Sequence, residues 1–306
     1  MPPSDSAPPS TLTQAVRQVG EALRAAGVDD PAAEARWLVA AAAGMDPLDL
    51  VVSASNPLDA EAAARVVAYT RRRAAREPLS RIVGSRAFYG RDFMLSAGTL
   101  DPRPETEVLV DMVLGICADP CWSGRAIEML DVGTGTGAIL ITLLAEVPLA
   151  RGKGLDINAE ALETASRNAA RHHVAERAEF VLHDVGGGLC NERSGAARGY
   201  DFIVSNPPYI SSAELAGLQP EVRLHDPAAA LDGGPDGLHF YRLLAASTAA
   251  LAPGGWMVVE VGAGQSGAVA QLFQAAAPSG IVRTAVDLGG HTRIVAVQPR
   301  PQISGE

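Results

Sequence analysis

The stretch Asp131-Val132-Gly133-Thr134-Gly135-Thr136-Gly137-Ala138 decides the architecture of this 306-residue chain. An apolar run precedes it and a longer one follows, so a strand is predicted over Ile127–Asp131 and a helix over Ala138–Ala145. The glycines let backbone approach a ligand closely, and a helix start offers N–H groups without internal partners. Taken alone, Gly133-x-Gly135-x-x-Ala138 fits the dinucleotide fingerprint. Asp131 contacts the ligand or caps the loop, and capping is the expected role, because carboxylates at such turns commonly accept from nearby N–H groups.

The pattern continues outward in alternation. Gly154-Leu-Asp156 ends a second predicted strand, Glu160 to Arg171 forms a helix, and Glu179–Asp184 is a third strand. A glycine-rich loop over 186–199 leads to a fourth strand, Tyr200–Ser205. After a long loop come a helix from Gly237 to Leu251, the turn Pro253-Gly254-Gly255, and a strand over Trp256–Val261. A helix Gln265–Ala276 and strands near Ile281–Leu288 and Thr292–Gln298 complete the set. Strands separated by helices predict an α/β fold, a mostly parallel sheet with helices on both faces.

The fourth strand ends abruptly in Asn206-Pro207-Pro208-Tyr209. Proline cannot donate to a sheet ladder and pushes its predecessor out of the helical region, so the strand must stop there. Ligands of open α/β sheets bind in the crevice past the carboxyl ends of the strands. An Asn side-chain oxygen and a backbone carbonyl are two neutral acceptors, able to hold both N–H bonds of a planar amino group. Tyr209 can pack its face on a flat substrate. The group reads as a clamp for an amide or aromatic amino nitrogen.

Asp156 is placed to take both hydroxyls of a ribose, and Asp184 to accept from an adenine amino group. Polar groups at four successive strand ends suit S-adenosylmethionine. A nicotinamide dehydrogenase would also need a proton-handling residue for hydride transfer, and the sequence offers no obvious one.

Ahead of this domain, residues 1–10 are Pro/Ser-rich and expected to be disordered. Residues 11–78 read as a small helical bundle. Its helices begin at the capping box Thr11–Gln14, at Asp30-Pro31 and at Asn56-Pro57, the last running to about Arg76. The bundle carries no catalytic constellation, so recognition is its expected task. Residues 79–103 are expected to be a linker. Within it, Arg81 to Leu95 alternates apolar and polar residues about Gly90-Arg-Asp92, which predicts a β-hairpin. Residues 104–306 are the expected catalytic domain. Its first helix opens at Glu105-Thr106-Glu107, where acids are ordinary complements of the helix dipole.

Bulk properties narrow the classes. The chain is 47% apolar with a net charge of −10, which argues against a protein built mainly to grip nucleic acid. The charge is uneven: residues 61–103 hold nine arginines against four acids. This region is a solvated face, or meets an acidic protein or RNA. No apolar stretch is long enough to span a bilayer, and Met1-Pro-Pro-Ser-Asp5 lacks the features of a secretory signal. The three cysteines, Cys117, Cys121 and Cys190, show no ligand-pair spacing and read as reduced thiols. A cytoplasmic protein with no metal is expected.

At this point the chain resembles the peptide chain release factor N5-glutamine methyltransferases, within the class I S-adenosylmethionine-dependent methyltransferases. The resemblance runs from about residue 11 to nearly the end. It rests on Arg103-Pro-Glu-Thr-Glu107, Asp131–Ala138, Asp201–Ile210, Asp236-Gly-Leu238 with Tyr241-Arg242, and Pro253-Gly-Gly255. Asn-Pro-Pro-Tyr alone is shared with nucleic-acid amino methyltransferases, so an enzyme acting on an exocyclic amine of RNA or DNA is the alternative. The Pro-Arg-Pro-Glu-Thr-Glu block after a helical domain is more selective. The resemblance implies a Rossmann-like methyltransferase domain that methylates the glutamine of the Gly-Gly-Gln motif in class 1 release factors. It implies S-adenosylmethionine bound by Gly133, Thr134, Gly135, Thr136, Gly137, Asp156, Asp184 and Asn206. The glutamine amide would be held by Asn206, Pro207, Pro208 and Tyr209, with Asn206, Pro207 and Tyr209 serving catalysis. A monomer without membrane or direct nucleic-acid contacts is expected. Two departures stand out: Asp101 replaces a commonly apolar residue, and Val185-Gly-Gly-Gly lacks an aromatic often found there.

Overall fold

The computed structural model describes residues 9–53, 55–189 and 199–299. Most of the predicted Pro/Ser-rich tail (residues 1–8), Cys190 and much of the glycine-rich loop lie outside the described residues. The chain divides into two compact units. One comprises residues up to Ser85 together with Gln219–His225, the other Arg86–Leu218 together with Asp226 onward.

The first unit is helical. Helix α1, Leu12–Ala25, is capped by the Thr11 hydroxyl, which accepts the Gln14 N–H at 3.3 Å. Gln14 returns the bond to the Ser10 N–H rather than to Thr11, one residue earlier than a regular capping box. Helix α2, Pro31–Ala43, starts at the Asp30 cap and stops at left-handed Gly44. A short helix α3, Asp49–Val52, was not legible in the sequence. Helix α4, Ala60–Ala74, begins at Asp59 and not at Asn56-Pro57, because the Asp59 carboxylate accepts the Ala62 N–H at 2.7 Å. Pro57 instead bridges to Thr11. Leu12, Val19, Leu23, Leu38, Val39, Val66 and Ile82 form the core of this unit. The predicted hairpin start is corrected: Leu79–Val83 is helix α5, ended by left-handed Gly84.

The hairpin is shorter than predicted, β1 Ser85–Phe88 and β2 Arg91–Met94. Phe88 and Phe93 are fully buried in the core of the second unit, so from Arg86 the hairpin belongs to that unit. Next come α6 Glu107–Cys117, β3 Ile127–Val132, α7 Ala138–Glu146, β4 Ala150–Asp156, α8 Ala159–Arg171, β5 Ala178–Leu182 and β6 Tyr200–Ser205. Then the short α9, Pro220–His225, takes its place in the first unit. The chain continues through α10 His239–Ala246, β7 Leu251–Glu260, α11 Ser266–Ala276, β8 Ile281–Val286 and β9 Thr292–Gln298. Helix α10 ends five residues before the predicted Leu251, because Leu251 is claimed by β7, where it pairs with Tyr200.

The sheet order is β5-β4-β3-β6-β7-β9-β8. All pairings are parallel except β7 with β9 and β9 with β8. Alternate residues of each strand feed two cores. Met129, Phe202, Val258 and Ile294 pack on one face with α6 and α7, and Leu130, Ile203, Met257 and Val295 on the other with α10 and α11. Strand order reverses between β3 and β6, which opens the crevice where such sheets bind ligands.

Candidate functional site

A cavity of about 410 Å³ occupies that crevice. Gly133 and Gly135 after β3, Asp156 at the end of β4, and Asn206, Pro207 and Pro208 after β6 all line it. Gly133 and Gly135 have φ of +74° and +54°, conformations a side chain would strain. The loop is held from within. Asp131 is fully buried, accepts the Thr134 hydroxyl at 2.7 Å, and is pushed up to about 7 by burial. Its partner is thus a side-chain hydroxyl of the loop and not the loop N–H groups that the sequence led one to expect. Thr134 is turned to Asp131, and the Thr136 carbonyl accepts from Asn168 at 2.9 Å. A Cβ on Gly137 would meet Ile141 at 2.6 Å, so that glycine lets the loop close onto α7. Of the five loop residues predicted to bind cofactor, Gly133 and Gly135 line the cavity, while Thr134, Thr136 and Gly137 shape the loop behind it.

Asp156 joins loop and cavity. Its two carboxylate oxygens accept the Gly135 and Asn158 N–H groups, each at 2.9 Å, and burial raises its pKa. Each oxygen keeps a lone pair for a diol hydroxyl. Asp184 stands differently. Strand β5 stops at Leu182, and Asp184 caps a tight turn by accepting the Gly186 N–H at 2.8 Å, while its neighbours His183 and Val185 line the cavity. The remaining wall was not legible in the sequence: Gly98 and Leu100 after the hairpin, Pro227 and Ala230, and Phe240 and Leu244 on α10. Phe240 supplies an aromatic that the Val185-Gly-Gly-Gly stretch lacks.

The clamp past β6 is fixed by its surroundings. Ile210 accepts the Gly233 N–H at 2.8 Å and donates to the Leu231 carbonyl at 3.1 Å. Gln265 donates to the Tyr209 carbonyl at 2.9 Å. Gly237, at φ +71°, passes so close that a Cβ would lie 2.4 Å from the Tyr209 oxygen. The carbonyls of Tyr209 and Ile210 are thus occupied, and Pro207 lines the cavity beside Asn206. The Asn206 amide donates through Nδ2 to the Thr106 hydroxyl at 3.1 Å, and Thr106 donates to buried Glu260 at 2.5 Å. Tyr209 lines a second hollow with Ile210, Gly262 and Gln265, and burial pushes its hydroxyl up to about 12.

Three residues of the Pro-Arg-Pro-Glu-Thr-Glu block thereby find their partners. Arg103 pairs with buried Asp226 at 2.8 Å, Thr106 holds Asn206, and Glu107 accepts the Tyr89 N–H at 2.7 Å. Glu107 therefore anchors the hairpin turn as well as opening α6. Thr106 stood in the sequence only as a member of the Arg103–Glu107 motif, and Glu260 had no signal of its own.

Among the described residues, no cluster of His, Cys, Asp or Glu could hold a metal ion, and no helix is long and apolar enough to cross a membrane. A family model described as PrmC N-terminal domain matches residues 14–84, and one described as Methyltransferase small domain matches 96–221. The chain is 42% identical to the release factor glutamine methyltransferase of Caulobacter vibrioides, over 93% of this chain and 95% of that protein. It is 45% identical to the protein of that name from Cereibacter sphaeroides, over 93% and 97% of the two chains. Among solved structures, the hMettl16 catalytic domain in complex with a MAT2A 3'UTR hairpin shares the fold, with a TM-score of 0.54 at 14% identity, over 80% of this chain and 84% of that one. Identity at this level across nearly the whole length, over both units, places the chain in the release factor glutamine methyltransferase family.

Proposed function

We propose that the chain methylates the side-chain amide nitrogen of the glutamine in the Gly-Gly-Gln motif of class 1 release factors, in the cytoplasm, with S-adenosylmethionine as donor. The observation that carries this is the pairing of a glycine-loop cavity with Asn206, Pro207 and Pro208 in its wall, in a chain of this family. The cavity residues fit such a cofactor: Gly133 and Gly135 admit close backbone approach, Asp156 keeps lone pairs for a ribose, and Phe240 and Leu244 give an apolar wall. Asp184, beside that wall, is the candidate acceptor for the adenine amino group. When bound, the cofactor supplies an electrophilic methyl group on a sulfonium.

The work of this chain is to orient the nucleophile. An amide nitrogen is a poor nucleophile because its lone pair is delocalised into the carbonyl. Asn206 Oδ1 and the Pro207 carbonyl, each accepting one N–H of the substrate amide, would fix its plane and raise electron density on nitrogen. Positioning and electrostatics then carry most of the rate enhancement. Tyr209 remains a phenol at neutral pH and serves as a packing surface, not a base. The proton leaves after the nitrogen is methylated, so no strong base is needed before attack.

The test is transfer of labelled methyl from S-adenosylmethionine to a purified class 1 release factor, beside a factor whose Gly-Gly-Gln glutamine is changed. Label on the unchanged factor alone is expected. Label on bulk RNA with none on the factor would overturn the proposal in favour of a nucleic-acid amine. Asn206→Ala should lower the rate by at least about a hundredfold with the fold intact.

A further inference from the structure

The hydrogen-bond chain behind the clamp has a direction, and the direction matters. A threonine hydroxyl has one hydrogen. Thr106 gives that hydrogen to Glu260 at 2.5 Å, so only its lone pairs face Asn206. The Asn206 group at 3.1 Å must then be its NH2 end, which leaves Oδ1 at the opposite corner of the planar amide. An Asn with its NH2 end turned outward would present donors to the substrate amide and repel it.

We propose that Glu260 is the positioning residue of this site: its buried carboxylate, acting through Thr106, sets the flip of Asn206 so that Oδ1 is the atom offered to the acceptor nitrogen. The inference rests on the clamp reading above and deepens it. Glu260 closes β7 and is 2% exposed. Its ionisation polarises the relay in one sense only: carboxylate accepts from hydroxyl, hydroxyl accepts from amide. A protonated Glu260 can instead donate to Thr106, whose hydrogen is then free to swing to Asn206, and the amide can invert.

The groups around Glu260 place that change within the working pH range. Burial pushes its carboxyl up to about 7, with the Thr106 hydrogen bond and the charges of Arg293 and Arg103 opposing and Glu105 adding to the rise. Tyr209 and Tyr241 also face it, both held in the phenol form. The Tyr241 hydroxyl donates to the Glu260 backbone carbonyl at 2.9 Å, which fixes the strand end that carries the carboxylate. Methyl transfer is therefore expected to fall as pH drops through the Glu260 titration.

Thr106→Val, Thr106→Ser and Glu260→Gln separate this role from a merely structural one. Thr106→Val keeps the shape and removes the relay, and kcat should fall on the order of a hundredfold, with affinity for S-adenosylhomocysteine and the unfolding midpoint little changed. Thr106→Ser should restore most of the rate. Glu260→Gln should lower kcat and abolish the acid limb of the pH profile. By NMR, the Asn206 side-chain NH2 pair, identified by its loss in Asn206→Ala, should move with pH in the wild type and stay fixed in Glu260→Gln. Wild-type turnover by Thr106→Val, or an Asn206 pair indifferent to pH, would overturn the proposal. The NMR response needs no turnover, so a wild-type chain that fails to label the release factor would count against the proposed function alone.

Discussion

Two carboxylates at neighbouring strand ends have different work. Asp156 takes one glycine-loop N–H and that of the residue capping α8 and still faces the cavity, whereas Asp184 stands outside the cavity wall as a turn cap. Asp156→Ala should therefore weaken S-adenosylhomocysteine binding by about one to two orders of magnitude, since it removes hydrogen bonds to a charged group and frees the loop. Asp184→Ala should cost severalfold at most. Calorimetric titration of both variants checks the ranking, and equal losses would refute it. Asp131 carries a pH consequence. Its folded pKa, about 7, lies above the ordinary value of 3.8, so the folded state binds a proton more readily than the unfolded chain. That contribution to stability is full below about pH 4 and is lost as the pH rises through about 7. Between pH 5.5 and pH 8 the wild type should lose more stability in denaturant titrations than Asp131→Asn, whose amide does not titrate.

At the scale of elements, the segment Asp232–Leu238 acts as the bracket of the clamp. Gly237→Ala would strain a positive-φ position and drive a methyl group against the Tyr209 carbonyl. The expected result is a fall in kcat with cofactor affinity preserved, read by comparing methyl-transfer rates with ligand titration. Parallel losses in both would show that the bracket also shapes the cavity. Elements with local signals were legible in the sequence: the strand–glycine–helix at 127–146, the break at Asn206-Pro207, and the Asp30 and Thr11 caps. What stayed hidden depends on pairing between distant positions. Thr106 and Glu260 are 154 residues apart, and nothing near either announces the other. Similarly, α10 ends early because Leu251 pairs with Tyr200, a cross-strand demand that local helix propensity cannot register.

On the scale of the molecule, the first unit is stitched by an ion cluster centred on one buried arginine. Arg73, 6% exposed, reaches Glu34 on α2 at 2.5 Å and Glu221 on α9 at 3.1 Å, and Arg76 also meets Glu221 at 2.8 Å. Removing Arg73 leaves Glu221 paired with Arg76 and half-buried Glu34 without its arginine. Arg73→Ala should thus destabilise this unit by about 1–2 kcal/mol, measurable by chemical denaturation. A change within 0.5 kcal/mol would mean that water replaces the guanidinium.

Helix α9 comes from far along the sequence yet completes a unit whose remainder ends at Ser85. The gene therefore cannot be cut and recombined at a single point. A chimaera that imports residues 11–85 from a relative brings side chains fitted to a foreign α9, and the native Glu221 meets strangers. Exchange of both pieces together is the inheritable module, and the two halves of that module are expected to drift through evolution as one.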